Sequence, residues 1–283
     1  MEKFVQRAKT LIEALPYIKK FNSKTIVFKY GGSIGSKDFS NFARDIVLMK
    51  LVGINPVIVH GGGAEISKVL KSLKIESNFI DGLRVTCPKT MEVVEMVLGG
   101  KVNKEIVSKI IMNGGKSVGI SGKDGGFLRV KKVKASKKSQ DLGRVGEITK
   151  VDIKLITELQ DNGYIPVVAP IGSDNKGVSY NINADHAASK IASSLKAEKL
   201  IILTDVPGIQ DEKRKLISSI TKKTANSLIR KGVIAKGMVP KVKCLVQALM
   251  DGVNKAHIID GRIPHAVILE TFTDSGIGTE ILL

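Results

Sequence analysis

The sequence contains no tryptophan, and aromatic residues make up only 4% of its 283 residues. Valine, isoleucine and leucine must therefore fill the interior. Only two cysteines occur, Cys87 and Cys244, with neither metal-binding nor redox spacing. That excludes a disulfide scaffold and leads us to expect reduced thiols in a cytoplasmic protein. No apolar run reaches the roughly 18 residues of a membrane span. The opening MEKFVQRAKT lacks the apolar block of a signal peptide. The standard nucleotide motifs are missing too. GGKS at 114–117 resembles the end of a P-loop, but Ile110 stands where the first glycine is required. That segment also runs into a strand rather than a helix, and no GxGxxG follows a strand. Nucleotide binding, if present, needs another architecture.

What is abundant is lysine. The formal net charge is +18, with 43% apolar and 25% charged residues. The lysines are scattered, apart from a cluster at Lys131, Lys132, Lys134, Lys137 and Lys138. Neither an aromatic-studded basic strand nor a zinc pattern accompanies them. A solvated surface that attracts anionic substrates is favoured over a nucleic-acid interface, and neither nucleic acid nor membrane is expected as a partner.

The size suits one large α/β domain or two lobes sharing a core. Residues 3–20 have helical spacing, with Phe4, Val5, Ala8, Leu11, Ile12, Leu15 and Ile18 on one face. Pro16 is expected to kink or end this helix. From Thr25 apolar strands alternate with helices: strands at 25–30, 56–60, 117–121, 164–170, 199–205 and 255–260, with a hairpin over 127–148 and a terminal strand closing the sheet. Helices are predicted at 38–52, 64–74, 88–113, 152–162, 181–195, 221–231 and 239–250. Such alternation predicts a mostly parallel sheet covered on both faces, a three-layer αβα sandwich.

Four segments carry chemistry. KYGGS (29–33) and HGGG (60–63) place glycines directly after strands, at the carboxyl ends where open α/β sheets bind ligands. Glycine N–H groups and the helix N-terminus beyond HGGG make an anion site. Lys29 precedes the first pair, Gly31 and Gly32. His60 is read as structural rather than as a base. NINAD (181–185) opens a helix that Asn183 or Asp185 can cap. An acidic residue facing phosphates would repel them, so Asp185 is better read as a partner of Lys29 and Lys241, or of Mg²⁺. GMVPK (237–241) puts Lys241 near a helix start, which is unfavourable without an anion. Arg84 in DGLRVT suits a carboxylate or a surface ion pair.

In their shared order, KYGG, VIVHGGG, FIDGLRVT, TMEVVEMVLGGKVNKEIV, GKDGG, GRVGEI, YIPVVAPIG, YNINADHAA, AEKLIILTDVPG, GMVPK, HIIDGRIPH and LETFTDSGIGT resemble the amino acid kinase family. The match runs from about Thr25 to the C-terminus. The resemblance implies a single αβα sandwich spanning 1–283, with an acetylglutamate-binding and dimerisation lobe at 1–175 and an ATP-binding lobe at 176–283. It implies ATP-dependent phosphorylation of the γ-carboxylate of N-acetyl-L-glutamate, with Mg²⁺ carried by ATP and no dedicated metal ligand. The alternative is a same-fold kinase for aminoadipate or carrier-linked glutamate. Lys29 and Lys241 would stabilise the transferring phosphoryl group and Asp185 would organise them. Gly31, Gly32, Thr204 and Asp205 would face the nucleotide or its phosphates. Gly61 and Gly62 would donate backbone hydrogen bonds, and Arg84 and Asn181 would hold the substrate. The residues after KYGG and the lysine at 236 depart from the usual pattern.

The first helix and the ending ETFTDSGIGT resemble the arginine-inhibited branch of the family. That likeness implies a homo-oligomer, a dimer core assembled into a hexamer. It also implies an arginine site between the helix and the C-terminal part, with Tyr17, His265, Glu270 and Gly276 as candidates. The bland alternative is that this helix packs on its own subunit.

Overall fold

The computed structural model describes residues 1–31, 36–133, 141–235 and 237–283. Gly32, Lys134, Lys137, Lys138 and Lys236 lie outside the described residues. In chain order the elements are α1 (Glu2–Phe21), β1 (Thr25–Tyr30), α2 (Ser36–Leu51), β2 (Asn55–His60), α3 (Gly63–Ser72), β3 (Phe79–Ile80), β4 (Leu83–Arg84), α4 (Pro88–Glu95), α5 (Asn103–Met112), β5 (Ser117–Ser121), β6 (Leu128–Lys132) and β7 (Gly146–Val151). They continue with α6 (Lys154–Asp161), β8 (Ile165–Ala169), β9 (Ile171–Ser173), β10 (Ser179–Asn181), α7 (Ala184–Ser194), β11 (Lys199–Thr204), β12 (Ser219–Thr221), α8 (Lys222–Arg230), α9 (Met238–Met250), β13 (Lys255–Asp260), α10 (Ala266–Thr271) and β14 (Thr279–Leu282).

The main sheet has eight strands in the order β12-β14-β13-β11-β1-β2-β8-β5. It is parallel except that β14 runs antiparallel to β13, with β12 parallel to β14. The terminal strand therefore does not form the edge; β12, which the apolar pattern did not reveal, lies outside it. β1 is central. The chain leaves it toward β2 on one side and later adds β11 on the other. Its carboxyl end is thus a topological switch point, where ligands bind in open α/β sheets.

Strand alternation assigns the faces. Ile26 and Phe28 of β1 join Phe42 and Ile46 of α2 and Ile106 and Ile110 of α5 in one core layer. Val27 joins Ala188 and Ile191 of α7 and Val242 and Leu245 of α9 in the other. Lys29, two residues after Val27, therefore faces α7 and α9. The expected αβα sandwich is the fold found.

A second sheet, β10-β9-β6-β7, contains the expected hairpin and two short strands that were not expected. Pro16 sits inside α1 without ending it. The long helical stretch 88–113 is not uniform: Met96–Val102 is π-helical, around the Gly99–Gly100 pair. Leu98 of this turn presses on Gly62, where an added Cβ would lie 2.5 Å from the leucine Cδ2. Among the described residues no helix is long and apolar enough to cross a membrane.

Candidate active site

Three charged side chains meet at the carboxyl end of β1. Asp185 lies in the first turn of α7, where Asn183 takes the capping role by accepting hydrogen bonds from the N–H groups of Asp185 and His186 at 2.9 and 3.1 Å. That leaves the Asp185 carboxylate free to bridge. Its Oδ2 accepts a hydrogen bond from Lys241 Nζ at 2.7 Å. Its Oδ1 lies 2.9 Å from Lys29 Nζ, an ion pair without hydrogen-bond alignment. Lys241 comes from the first turn of α9. The three residues thus come from a strand and two helix starts on one face of the sheet, more than two hundred positions apart in the chain.

Electrostatics explain why the group holds together. Burial pushes the Asp185 carboxyl up, but the charges of Lys29 and Lys241 outweigh it and hold the carboxyl below its ordinary value. Burial lowers Lys29, with Asp185 opposing and Lys241 reinforcing the shift. Two ammonium groups on one carboxylate leave an uncompensated positive charge at two helix N-termini. That combination favours an anion with several charges.

Next to this centre is a cavity lined by Gly61, Gly62, Gly63, Arg84, Asn181 and Ala184, among others. A second cavity of about 540 Å³ shares Gly82, Leu83, Val145 and Asn183 with it and carries Asp185 and Lys241 in its wall. Arg84 is buried, yet among the described residues no carboxylate pairs with it. Its guanidinium donates to Ser77 Oγ, to the Gly63 carbonyl at 2.9 Å and to Ser67 Oγ at 2.9 Å, and stacks over Phe79. The arginine is held in place while its charge stays unneutralised. Asn181 is tied down through Thr86 at 3.4 Å and through its own N–H to the Arg144 carbonyl. Gly143 lets the chain pass here, because a Cβ on it would lie 2.3 Å from the Thr86 carbonyl.

The glycines divide their work. The Gly61 N–H is given to the Tyr30 carbonyl at 3.0 Å. Among the described residues no carbonyl takes the Gly62 N–H. His60 is fully buried, and burial lowers it to about 4, so it is a neutral structural residue at neutral pH. Thr204 ends β11, and its hydroxyl donates to the exposed Asp205 at 3.2 Å.

Three of the four other candidates lie at the opposite end of the sheet. Tyr17, Glu270 and Gly276 line one pocket together with Lys20, Lys199 and His257. His265 is not among the residues that line it; its Nδ1 lies 2.6 Å from Asp45. Sequence reasoning missed Ser67 and Ser77, which orient Arg84, and also Lys199 and His257. None of these stands in a recognisable local pattern.

A glycine-lined cavity beside a lysine–carboxylate–lysine centre, at the switch point of a parallel sheet, is an arrangement suited to phosphoryl transfer. The profile described as the Amino acid kinase family matches residues 24–260. An acetylglutamate kinase of Geotalea uraniireducens (strain Rf4) is 53% identical over 291 residues, covering 100% of both chains. That of Heliobacterium modesticaldum (strain ATCC 51547 / Ice1) is 54% identical over 294 residues, again covering 100% of both. Among solved structures, N-acetylglutamate synthase from Neisseria gonorrhoeae, complexed with coenzyme A and N-acetyl-glutamate, superposes with a TM-score of 0.88 at 26% identity, over 98% of this chain and 63% of that one. The chain belongs to the amino acid kinase family. It is a kinase, and membership implies that it uses ATP.

Proposed function

We propose that this chain transfers the γ-phosphoryl group of ATP to the side-chain carboxylate of N-acetyl-L-glutamate, giving N-acetyl-L-glutamyl 5-phosphate and ADP. The observation that carries this reading is a buried arginine that no carboxylate among the described residues pairs with, in a cavity that adjoins one walled by Asp185 and Lys241. Full-length relatives with the matching activity in their name support it.

The nucleophile is a carboxylate, already ionised at neutral pH. It needs no base, and His60 is not placed to act as one. What remains is alignment and charge neutralisation. Arg84 and Asn181 hold the acceptor. Lys29 and Lys241 stabilise the charge on the transferring group and its leaving oxygen. Asp185 spaces the two ammonium groups, and the Gly62 N–H contributes a fixed donor. Both Asp185 oxygens are engaged by lysines, so Mg²⁺ enters as part of the MgATP substrate. In this reading the nucleotide lies toward Thr204 and Asp205, in the 176–283 lobe, and the acceptor in the 1–175 lobe.

A second property follows from the other pocket. Glu270, Asp274 and Glu280 line it together with Lys20, Lys199 and Lys255, so carboxylates are at hand for an α-ammonium and a guanidinium, and ammonium groups for an α-carboxylate. We infer that arginine binds there and inhibits. Phe4, Leu11 and Ile12 of α1 are 66%, 75% and 68% exposed, so this half of the helix is not packed on its own subunit. It is available to a second copy, in keeping with a hexamer of interlaced dimers.

The test is acyl phosphate formation, trapped as hydroxamate, with N-acetyl-L-glutamate, aminoadipate and other dicarboxylates, each with and without arginine. N-acetyl-L-glutamate should be the preferred acceptor, and arginine should suppress its use. A better rate with aminoadipate would replace the substrate assignment.

A further inference from the structure

The HGGG turn rests on a buried polar network that the phosphate site itself does not explain. His60 Nδ1 lies 3.0 Å from the Gly61 carbonyl, and its Nε2 lies 3.2 Å from Asn103 Nδ2. The Asn103 amide is itself oriented without ambiguity. Its Nδ2 donates to the Val167 carbonyl at 2.9 Å and approaches the Ile120 carbonyl at 3.4 Å, while its Oδ1 accepts from Lys104 Nζ at 3.2 Å. Carbonyls require a donor and an ammonium requires an acceptor, so nitrogen and oxygen cannot be exchanged. Asn103 therefore donates to His60 Nε2, and the imidazole proton sits on Nδ1. The Gly61 carbonyl, which can only accept, demands the same tautomer. Space is reserved for this arrangement: a Cβ on Gly119 would lie 1.8 Å from Asn103 Oδ1.

A trans peptide is planar, so the Gly61 carbonyl and the Gly62 N–H point in opposite directions. His60 is fully buried beneath the turn and holds the carbonyl inward. The Gly62 N–H then points outward, toward the cavity that Gly62 lines with Arg84. Leu98 closes the space around Gly62 on its Cβ side.

We propose that His60, fixed as its Nδ1–H tautomer by Asn103, is a positioning residue that aims the Gly62 N–H at the transferring phosphoryl group. This rests on the kinase reading above, since a donor so aimed has work only where negative charge develops. His60 touches no substrate and moves no proton. Its ring is an adaptor between a core amide and a backbone carbonyl, and its burial keeps it neutral through the physiological range.

Two variants separate positioning from packing. His60→Asn keeps a donor near the Nδ1 position but loses the Asn103 contact. His60→Gln keeps an acceptor near Nε2 but has no donor for the Gly61 carbonyl. The hydroxamate assay should show a kcat lowered about 30-fold or more in His60→Gln, with both KM values changed less than about threefold, because a misdirected oxyanion-type donor acts mainly on the transition state. His60→Asn should recover most of that loss. Circular dichroism and thermal unfolding establish that each variant is folded. Equal impairment of the two folded variants, or near-normal kcat in His60→Gln, overturns the proposal. An activity-independent check uses wild-type protein labelled with ¹⁵N-histidine: the His60 ring should show a protonated Nδ1 and an unprotonated Nε2. The opposite tautomer also overturns it. If wild-type protein makes no acyl phosphate, the substrate reading fails, while the nitrogen spectrum still decides the His60 geometry.

Discussion

Two buried carboxylates sit at opposite ends of the same sheet, and they are used differently. Asp185 lies where the parallel strands finish, with Lys29 on Oδ1 at 2.9 Å and Lys241 on Oδ2 at 2.7 Å. Glu270 lies where β11 and β13 begin. Its Oε2 accepts from the Ile277 and Gly278 N–H groups at 2.7 and 3.2 Å, and its Oε1 lies 2.6 Å from His257 Nδ1. Asp185 binds side-chain cations, whose charge in the proposed reading faces the ligand. Glu270 binds backbone and so shapes a loop. Gly276 belongs to that loop: it has φ of +59°, and a Cβ there would lie 2.8 Å from Glu270 Oε2. In the reading proposed above, the first centre serves phosphoryl transfer and the second serves ligand recognition.

The sharpest way to break this contrast is at Asp185's partners. Lys241→Ala should lower kcat by about 10²–10³-fold with a modest change in the KM for ATP, as for removal of a group acting mainly in the transition state. Near-normal turnover would strip the first centre of its assigned role. Next in size is Arg84→Lys. An ammonium cannot reproduce the fork that Ser67, Ser77 and the Gly63 carbonyl hold in place. The KM for N-acetyl-L-glutamate should rise roughly 10–50-fold while kcat falls less. An unchanged KM with a depressed kcat would move Arg84 from binding into catalysis.

The same contrast explains what was legible in the sequence. Glycine after an apolar strand is a local pattern, and so is a lysine or aspartate at a helix start. The first centre is made of such patterns, so its parts were visible even though their meeting was not. Asp185 was read as a partner of two lysines because phosphate would repel it, and its two contacts fit that reading. The supporting residues were not legible. Asn103 sits within a stretch that reads as one uniform helix, and the π-turn before it was not foreseen. The role of Gly119 appears only when β5 is placed against α5. At the second centre, Lys199, Lys255 and His257 look like ordinary strand residues. What makes them a site is the juxtaposition of strand starts with α1, which no short motif encodes. β12, β9 and β10 were missed because each is three residues long, too short for alternation to register.

A smaller effect is expected at the second centre. Glu270→Gln keeps the volume but removes the charge facing His257 and Lys199. Half-inhibition should require roughly tenfold more arginine, as for loss of one charge-assisted contact, with turnover in the absence of arginine affected far less. Arginine titrations of the hydroxamate assay measure both. Parallel loss of turnover and inhibition would mean that Glu270 supports the whole sheet rather than the pocket.

The least disruptive probe is pH. Burial favours the neutral amine of Lys29 and lowers it from the ordinary 10.5; Asp185 opposes this and Lys241 adds to it. A lysine lowered in this way loses its charge at a lower pH than an exposed one, so a reaction that needs the charge fails on the alkaline side. Asp185 is held below the ordinary 3.8 and His60 is lowered to about 4, so neither titrates near neutrality. The kcat profile should therefore be flat from about pH 6 to about pH 8 and then fall before an ordinary lysine would titrate. Lys29→Arg supplies the control, since a guanidinium stays charged throughout that range. Its lower activity should persist without the alkaline limb. An alkaline limb that survives in Lys29→Arg belongs to another group, and the lowering of Lys29 by burial would then have no kinetic expression.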